Sequence, residues 1–131
     1  MCPAPRSKPC VLVVDDEETI RKLLAKHLER KGFEVLTAED GERALELFRS
    51  HGDRVDLVIL DMVMPRTSGL EVLVELRRTH PDLPVLLSSG YNQDADRAEA
   101  AAIGVHGFLA KPFRLRDLTA QICALLEFDE P

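Results

Sequence analysis

The apolar residues of the chain fall into short runs of β-branched and aliphatic residues that alternate with longer stretches of helical period. Short runs of this kind, separated by helical stretches, are typical of βα units that feed a parallel sheet. We therefore predict an α/β domain with five strands. The predicted strands are Cys10 to Val14, Glu34 to Ala38, Val55 to Leu60, Val85 to Ser88 and Gly107 to Ala110.

Apolar residues at three-and-four spacing predict the helices between these strands. The first runs from Glu18 to Lys31 and ends before Gly32. The second is capped by Asp40 and the third runs from Gly69 to His80. The side chains predicted to face inward are Ala44, Leu45 and Phe48 in the second helix, Leu70, Leu73 and Val74 in the third, and Leu115, Leu118, Ile122 and Leu125 in the last.

The fourth helical stretch, Asn92 to Ile103, differs from the others because Ile103 is its only large aliphatic residue. Few apolar contacts would hold this helix against the sheet. We therefore expect it to be the mobile element of the domain.

The length of the chain fits one domain. Its 131 residues can form one compact core. We predict that residues 10–127 form this domain, between a proline-rich tail at residues 1–9 and a short tail at residues 128–131. The apolar runs are too short to cross a bilayer.

Charge and cysteine content narrow the classes of partner and location. The net charge of -6 argues against nucleic acid or an anionic membrane as a direct partner. The three cysteines, Cys2, Cys10 and Cys123, show no spacing typical of a zinc site or a disulfide framework. We therefore expect a reducing, cytoplasmic location.

Polar residues follow the predicted strands at the edge where parallel sheets carry their chemistry. They are Asp15 and Asp16 after the first strand, Asp61 after the third, Ser88 and Ser89 at the end of the fourth, and Lys111 and Pro112 after the fifth. Clustered carboxylates repel one another unless a cation lies between them, and oxygen ligands in small number favour Mg²⁺. Taken singly, Asp15 and Asp16 could begin the first helix and Asp61 could cap the third.

Four motifs at these strand ends give the chain its resemblance to a known family. They are Val-Val-Asp-Asp-Glu at 13–17, Leu-Asp-Met-Val-Met-Pro at 60–65 with Gly69 beyond, Ser-Ser-Gly at 88–90 and Lys-Pro-Phe at 111–113. From Lys8 to Glu127 the chain resembles the receiver domain of two-component response regulators. The resemblance implies a flavodoxin-like, doubly wound sheet of five parallel strands in the order 2-1-3-4-5, with five helices.

The resemblance also implies a role for each residue of the cluster. Asp61 matches the phosphoacceptor, a carboxylate that takes a phosphoryl group from a phosphohistidine and forms an acyl phosphate. Asp16 and Asp61 match direct Mg²⁺ ligands, Asp15 matches an acid that acts through water, and Val63 matches a backbone carbonyl ligand.

The remaining roles concern the phosphoryl group and the response to it. Ser89 and Lys111 match the groups that contact phosphoryl oxygens, and Pro112 would follow a cis peptide bond. On phosphorylation Ser89 would move toward the phosphoryl group and Phe108 would turn inward, which would shift the face of helix 4, strand 5 and helix 5. Val63 and Tyr91 are apolar or bulky, so we expect slow self-dephosphorylation.

Two other functional classes are alternatives to a phosphoacceptor switch. A haloacid-dehalogenase-like phosphatase would have a second Asp two residues after the nucleophile, where this chain has Val63. A binding module that works without phosphorylation would not need the complete set of acids, hydroxyl and amine. We therefore predict a non-enzymatic switch whose partner is a sensor histidine kinase or a histidine phosphotransfer protein. The downstream effector is unknown. Both a stand-alone regulator and the receiver of a hybrid kinase remain open, as do monomer and homodimer.

Overall fold

The computed structural model describes residues 8–64, 67–90 and 94–126. Strands and helices alternate along the chain, and one 3-10 helix, Gly52–Arg54, follows the second α-helix. The strands are β1 Cys10–Val14, β2 Glu34–Ala38, β3 Leu57–Asp61, β4 Val85–Ser89 and β5 Gly107–Ala110. The α-helices are α1 Glu18–Arg30, α2 Gly41–His51, α3 Gly69–Thr79, α4 Asp94–Ile103 and α5 Leu115–Leu126.

The five strands form one sheet in which every neighbouring pair is parallel. Their order is β2-β1-β3-β4-β5, so β3 lies at the centre. Short, fully buried strands such as Cys10–Val14 follow from helices on both faces of the sheet. The predicted flavodoxin-like architecture is confirmed.

Alternation along the strands divides the core between the two faces of the sheet. One set of buried side chains packs under α2, α3 and α4 and includes Val85 and Leu87 of β4. The other packs under α1 and α5 and includes Leu86 of the same strand. We call these the α2/α3/α4 face and the α1/α5 face.

The start of β3 differs from the prediction. The strand begins at Leu57 rather than Val55. The 3-10 helix Gly52–Arg54 ends directly before Val55, and the Val55 N–H donates to the Gly52 carbonyl instead of to a neighbouring strand. Val55 is nevertheless buried, so its apolar character reports a core position outside the sheet.

In α3 the inward side chains were predicted only in part. The helix buries Val72, Leu73 and Leu76, whereas Val74 is 42% exposed, so its predicted inward position is wrong. The cause is a phase error of the helical period, because a side chain one position beyond Leu73 points about 100° away from it.

An arginine of α3 contacts the loop that follows α4. α4 buries Ala100 completely, while Ile103 is half-buried. Arg77 Nε donates to the Gly104 carbonyl at 2.8 Å, and Arg77 Nη1 donates to the His80 carbonyl at 3.1 Å. One side chain thus joins the end of α3 to the loop between α4 and β5.

Two parts of the domain prediction fall largely outside the described residues. They are residues 1–7 of the predicted N-terminal tail and residues 127–131 at the C-terminal end. Among the helices that are described, none is long and apolar enough to span a membrane.

Candidate functional site

Three carboxylates meet at the C-terminal edge of the sheet. Asp15 follows β1 directly and Asp61 is the last residue of β3, and both are buried. Asp16 is exposed beside them. One carboxylate oxygen from each of the three lies within 4.8 Å of the others. The parallel register brings these acids together because β1 and β3 are hydrogen-bonded neighbours.

The Lys111 ammonium reaches this cluster from the far side of β4. Its Nζ lies 3.3 Å from Asp61 Oδ1 and 3.5 Å from Asp15 Oδ2. The Lys111 N–H donates to the Ser89 carbonyl at 2.8 Å, and the following Lys111–Pro112 peptide bond is cis. Lys111 is therefore anchored to the end of β4 while its side chain extends to β3.

Burial and charge perturb the two central titratable groups. Burial is the main cause that raises the pKa of Asp61, and the neighbouring Asp15 carboxylate also raises it. Lys111 and the Val63 N–H oppose the shift, and the net pKa is about 6. Burial alone would lower the pKa of Lys111, but the carboxylates of Asp61 and Asp15 outweigh it and the pKa is raised. Asp61 thus carries an ionisation cost that a further cation would relieve.

The donor set fits a hard divalent cation. Oxygen atoms from Asp15, Asp16 and Asp61 are close enough to share one ion, and oxygen ligands of this kind favour Mg²⁺. Val63 lies at the rim of the cluster, where its N–H donates to Asp61 Oδ1 at 3.4 Å and its side chain is 57% exposed.

Two buried hydroxyls end β4. In the part of the chain that the structure describes, Ser88 Oγ and Ser89 Oγ have no hydrogen-bond partner. A buried hydroxyl without a partner costs about 1–3 kcal/mol, so such groups call for an explanation. The family resemblance implies a role for Ser89 and none for Ser88.

Phe108 is half-buried on the α2/α3/α4 face. The Arg97 guanidinium carbon from α4 lies 4.9 Å from the centre of its ring. This is a cation–π contact between α4 and β5.

The structure separates the site from the simpler helix-capping interpretation. Ser68, not Asp61, caps α3: its Oγ accepts a hydrogen bond from the Glu71 N–H in a capping box. Asp15 does have a local role, because its Oδ1 accepts from the Glu17 N–H at 2.9 Å before α1 begins. Tyr91 lies outside the described residues.

An apolar groove beside the carboxylates was not predicted. It has a volume of about 560 Å³ and lies between α1 and the segment after β5. It is lined by Ile20, Leu23, Leu24, Gly90, Lys111, Pro112, Phe113 and Leu115. Leu23 shares the three-and-four spacing of Ile20, Leu24 and Leu28, which predicts an inward position, but it is 48% exposed, so that prediction is wrong.

Comparisons with known proteins place this fold in a family. The family model of the response regulator receiver domain matches residues 11–123. A receiver domain protein from Clostridium thermocellum superposes with a TM-score of 0.87 at 33% identity, covering 91% of this chain and 94% of that one. The receiver domain of NtrX from Brucella abortus gives 0.82 at 36% identity, covering 91% and 99%.

Two curated relatives carry different names. The alkaline phosphatase synthesis transcriptional regulatory protein PhoP of Bacillus subtilis is 37% identical over 120 residues, which are 92% of this chain and 49% of PhoP. The sensor kinase CckA of Brucella abortus is 40% identical over 117 residues, which are 89% of this chain and 12% of CckA. The chain therefore spans half or less of these relatives. The sheet order, the strand-end residues and the family match over residues 11–123 together show that the chain belongs to the response regulator receiver domain family.

Proposed function

We propose that Asp61 accepts a phosphoryl group from the phosphohistidine of a sensor kinase or a histidine phosphotransfer protein, and that the chain acts as a switch rather than as an enzyme. One observation carries this proposal: the buried Asp61 carboxylate lies 3.3 Å from the Lys111 ammonium and beside two further acids. The arrangement supports a nucleophile together with groups that neutralise phosphoryl charge.

The transfer step is a displacement at phosphorus. An Asp61 carboxylate oxygen would attack, the bond between phosphorus and the donor imidazole nitrogen would break, and the electron pair would leave with the imidazole. With a pKa of about 6, Asp61 is mostly ionised at neutral pH and ready to attack. The Lys111 ammonium would move from the Asp61 carboxylate to a phosphoryl oxygen and neutralise its negative charge. Such electrostatic stabilisation dominates the catalysis of phosphoryl transfer.

Asp15, Asp16, Asp61 and the Val63 carbonyl would hold the Mg²⁺ ion. When bound, Mg²⁺ would supply charge neutralisation between the carboxylates and the phosphoryl oxygens. Asp61 remains the nucleophile in this arrangement, and Asp15 remains the acceptor of the Glu17 N–H that fixes the start of α1.

The switch would use Ser89 and Phe108. Ser89 Oγ is buried and without a partner among the described residues, so a phosphoryl oxygen on Asp61 would satisfy it. Two charge-assisted hydrogen bonds, from Ser89 and Lys111, are worth about 1.5–3 kcal/mol each, and a shift of population from 1:99 to 99:1 needs about 5.5 kcal/mol. Phe108 would then leave its contact with Arg97.

The apolar groove supports a protein donor. A phosphohistidine must come within bonding distance of Asp61, so its protein must cover this edge of the sheet. The groove is continuous with the site through Lys111 and Gly90. An apolar donor surface seated there would bury Leu23. We also propose a cytoplasmic location, in which this chain and its phosphohistidine donor would meet.

The test is the intact mass of the protein after incubation with acetyl phosphate and Mg²⁺. We expect a single base-labile phosphoryl adduct on the wild type, and none on Asp61→Asn or after chelation. Circular dichroism of both proteins is the control for folding. A folded wild type that gains no adduct under any condition would overturn the proposal and favour a binding module that works without phosphorylation.

A further inference from the structure

The second hydroxyl of β4, Ser88, has no role in the function proposed above. Its side chain is 3% exposed, and no hydrogen-bond partner for its Oγ exists among the described residues. Burying this hydroxyl without a hydrogen bond costs folding free energy, and no contact among the described residues of the unphosphorylated protein offsets that cost.

Strand alternation places Ser88 and Ser89 on opposite faces of the sheet. Leu86 belongs to the core of the α1/α5 face, so Ser88, two residues on, points to that face as well. Val85 and Leu87 belong to the α2/α3/α4 face, and Ser89 follows them. The two hydroxyls therefore extend from opposite sides of β4.

The register of the sheet puts Ser88 between Asp61 of β3 and the strand β5, which Lys111 follows. Ser88 is paired with Asp61 of β3 on one side and with Leu109 of β5 on the other. Ile59 and Leu109 both belong to the α1/α5 face, so Asp61 and Lys111, two residues after each, project toward the face that Ser88 occupies. Adjacent strands lie about 4.8 Å apart.

Lys111 must cross β4 to reach Asp61. It follows β5, whereas Asp61 ends β3, and β4 lies between these strands. Because Lys111 Nζ is 3.3 Å from Asp61 Oδ1, the lysine side chain passes over the end of β4 at the level of Ser88. The ammonium has three N–H donors, and its contacts with Asp61 and Asp15 account for two.

We infer that Ser88 is a positioning residue whose hydroxyl accepts a hydrogen bond from the Lys111 ammonium as Lys111 turns from the carboxylates to the phosphoryl group. This inference rests on the proposed function of Asp61. Ser88 acts through Lys111 and makes no contact of its own with the phosphoryl group. The Ser88 hydroxyl, which lacks a partner among the described residues of the unphosphorylated protein, thereby gains a hydrogen bond in the phosphorylated protein.

The test compares Ser88→Thr with Ser88→Val, because these side chains have nearly the same volume and differ by the hydroxyl. The rate of adduct formation from acetyl phosphate at saturating Mg²⁺ is measured by intact mass. We expect Ser88→Val to form the adduct about five- to tenfold more slowly than Ser88→Thr. Ser88→Ala provides the same comparison with wild type if the larger side chains prevent folding.

A double-mutant cycle with Lys111→Ala separates positioning from packing. If Ser88 acts through Lys111, Ser88→Ala slows the wild type but causes no further slowing in the Lys111→Ala background. Ser88→Ala should also raise the melting temperature of the unphosphorylated protein by about 2–5 °C, because it removes a buried hydroxyl without a partner.

Each outcome decides between distinct conclusions. Equal rates for Ser88→Thr and Ser88→Val, or the same slowing by Ser88→Ala with and without Lys111, would overturn the role of Ser88 while leaving Asp61 as phosphoacceptor. Absence of any adduct on the wild type would instead overturn the proposed function itself.

Discussion

At the scale of single residues, Asp61 shows how a site can be assembled at the expense of stability. Its carboxylate is buried and lies beside Asp15, so its charged form is disfavoured in the folded protein. The Lys111 ammonium compensates only in part, because its Nζ lies 3.3 Å and 3.5 Å from its two carboxylate neighbours, at long range for charged hydrogen bonds.

Asp61→Asn should stabilise the metal-free protein above pH 6. The pKa of Asp61 is raised from 3.8 to about 6 in the folded state, so the fold binds a proton that the unfolded chain releases. Wild-type stability therefore falls as pH rises through this window, and the Asn variant lacks that fall. We expect a gain of roughly 1–3 kcal/mol at pH 7.5 and a smaller one at pH 4.5. Urea unfolding in chelator measures both values.

Added Mg²⁺ supplies the control for that measurement. It should stabilise the wild type at pH 7.5 and have much less effect on Asp61→Asn, which lacks one of the three carboxylates. An Asn variant that gains equally at both pH values would show that ionisation of Asp61 is not the cause.

Val63→Asn should shorten the lifetime of the acyl phosphate. The Val63 side chain is exposed at the rim of the site and offers no polar group to orient a hydrolytic water. An amide there should speed loss of the adduct about three- to tenfold through orientation. The decay is followed by intact mass after removal of the donor. Val74→Asn, an exposed valine on α3 outside the cluster, is the matched control and should not change the decay.

At the scale of elements, the sequence predicted the number, type and order of the strands and helices better than the detailed contacts at their ends. β1, β2 and β5 have the predicted bounds because their apolar runs are bounded by polar or turn residues. The 3-10 helix Gly52–Arg54 was missed because Val55 extends the apolar run of β3 without belonging to it. Val74 was placed inward because α3 carries more apolar residues than its buried side needs.

The site was predictable to the extent that it depends on strand ends. Asp15, Asp61 and Lys111 could be grouped because topology alone brings strand ends together. The burial of Ser88 without a partner and the groove at Leu23 depend on packing between elements distant in sequence, which no local pattern encodes.

The N-terminus of α3 should tolerate no side chain at its first residue. A Cβ on Gly69 would lie 2.8 Å from Met62 Cα and closer still to the Asp61 carbonyl oxygen. Both contacts are backbone and cannot move aside, so Gly69→Ala should cost about 1–3 kcal/mol. Gly90→Ala is the matched control, because a Cβ there meets no atom of the described residues within 4 Å and the change should stay within about 0.5 kcal/mol. Urea unfolding of both variants decides, and equal costs would contradict the close approach of α3 to β3.

Helix α4 should respond to phosphorylation more than any helix of the α1/α5 face. It buries Ala100 alone completely among its described side chains, and it contacts β5 through Arg97 and Phe108. Hydrogen exchange measured with and without the phosphoryl group should change in residues 95–103 and stay unchanged in α1. Equal exchange in both states across α4 would count against the predicted switch.

At the scale of the whole molecule, the sheet separates two surfaces. Asp61 is the last residue of the central strand β3, between β1 and β4. A phosphoryl group adds roughly 1.5–2 negative charges to a chain whose net charge is already -6. The Lys111 ammonium, 3.3 Å from Asp61 Oδ1, is placed to neutralise part of that charge.

Leu23→Lys should impair transfer from a protein donor and spare transfer from a small one. Leu23 lines the groove beside the site and would be covered by a donor seated there. A charge in that contact should slow transfer at least about tenfold, while acetyl phosphate reacts as before. The donor is the fastest one found in a panel of purified phosphohistidine proteins. Val74→Lys places the same charge on α3 and should change neither rate; if it slows protein transfer equally, net charge rather than docking is responsible.

The division of the core into an α1/α5 face and an α2/α3/α4 face has a consequence for the timing of a signal. The groove for the proposed donor lies beside α1, whereas Phe108 and Arg97 lie on the opposite side of the sheet. The phosphoryl donor and a partner that recognises the phosphorylated form would then not compete for the same surface. A downstream effector could bind before the phosphoryl donor dissociates. The delay between phosphorylation and effector binding would then be set by the conformational change of this protein instead of by dissociation of the donor.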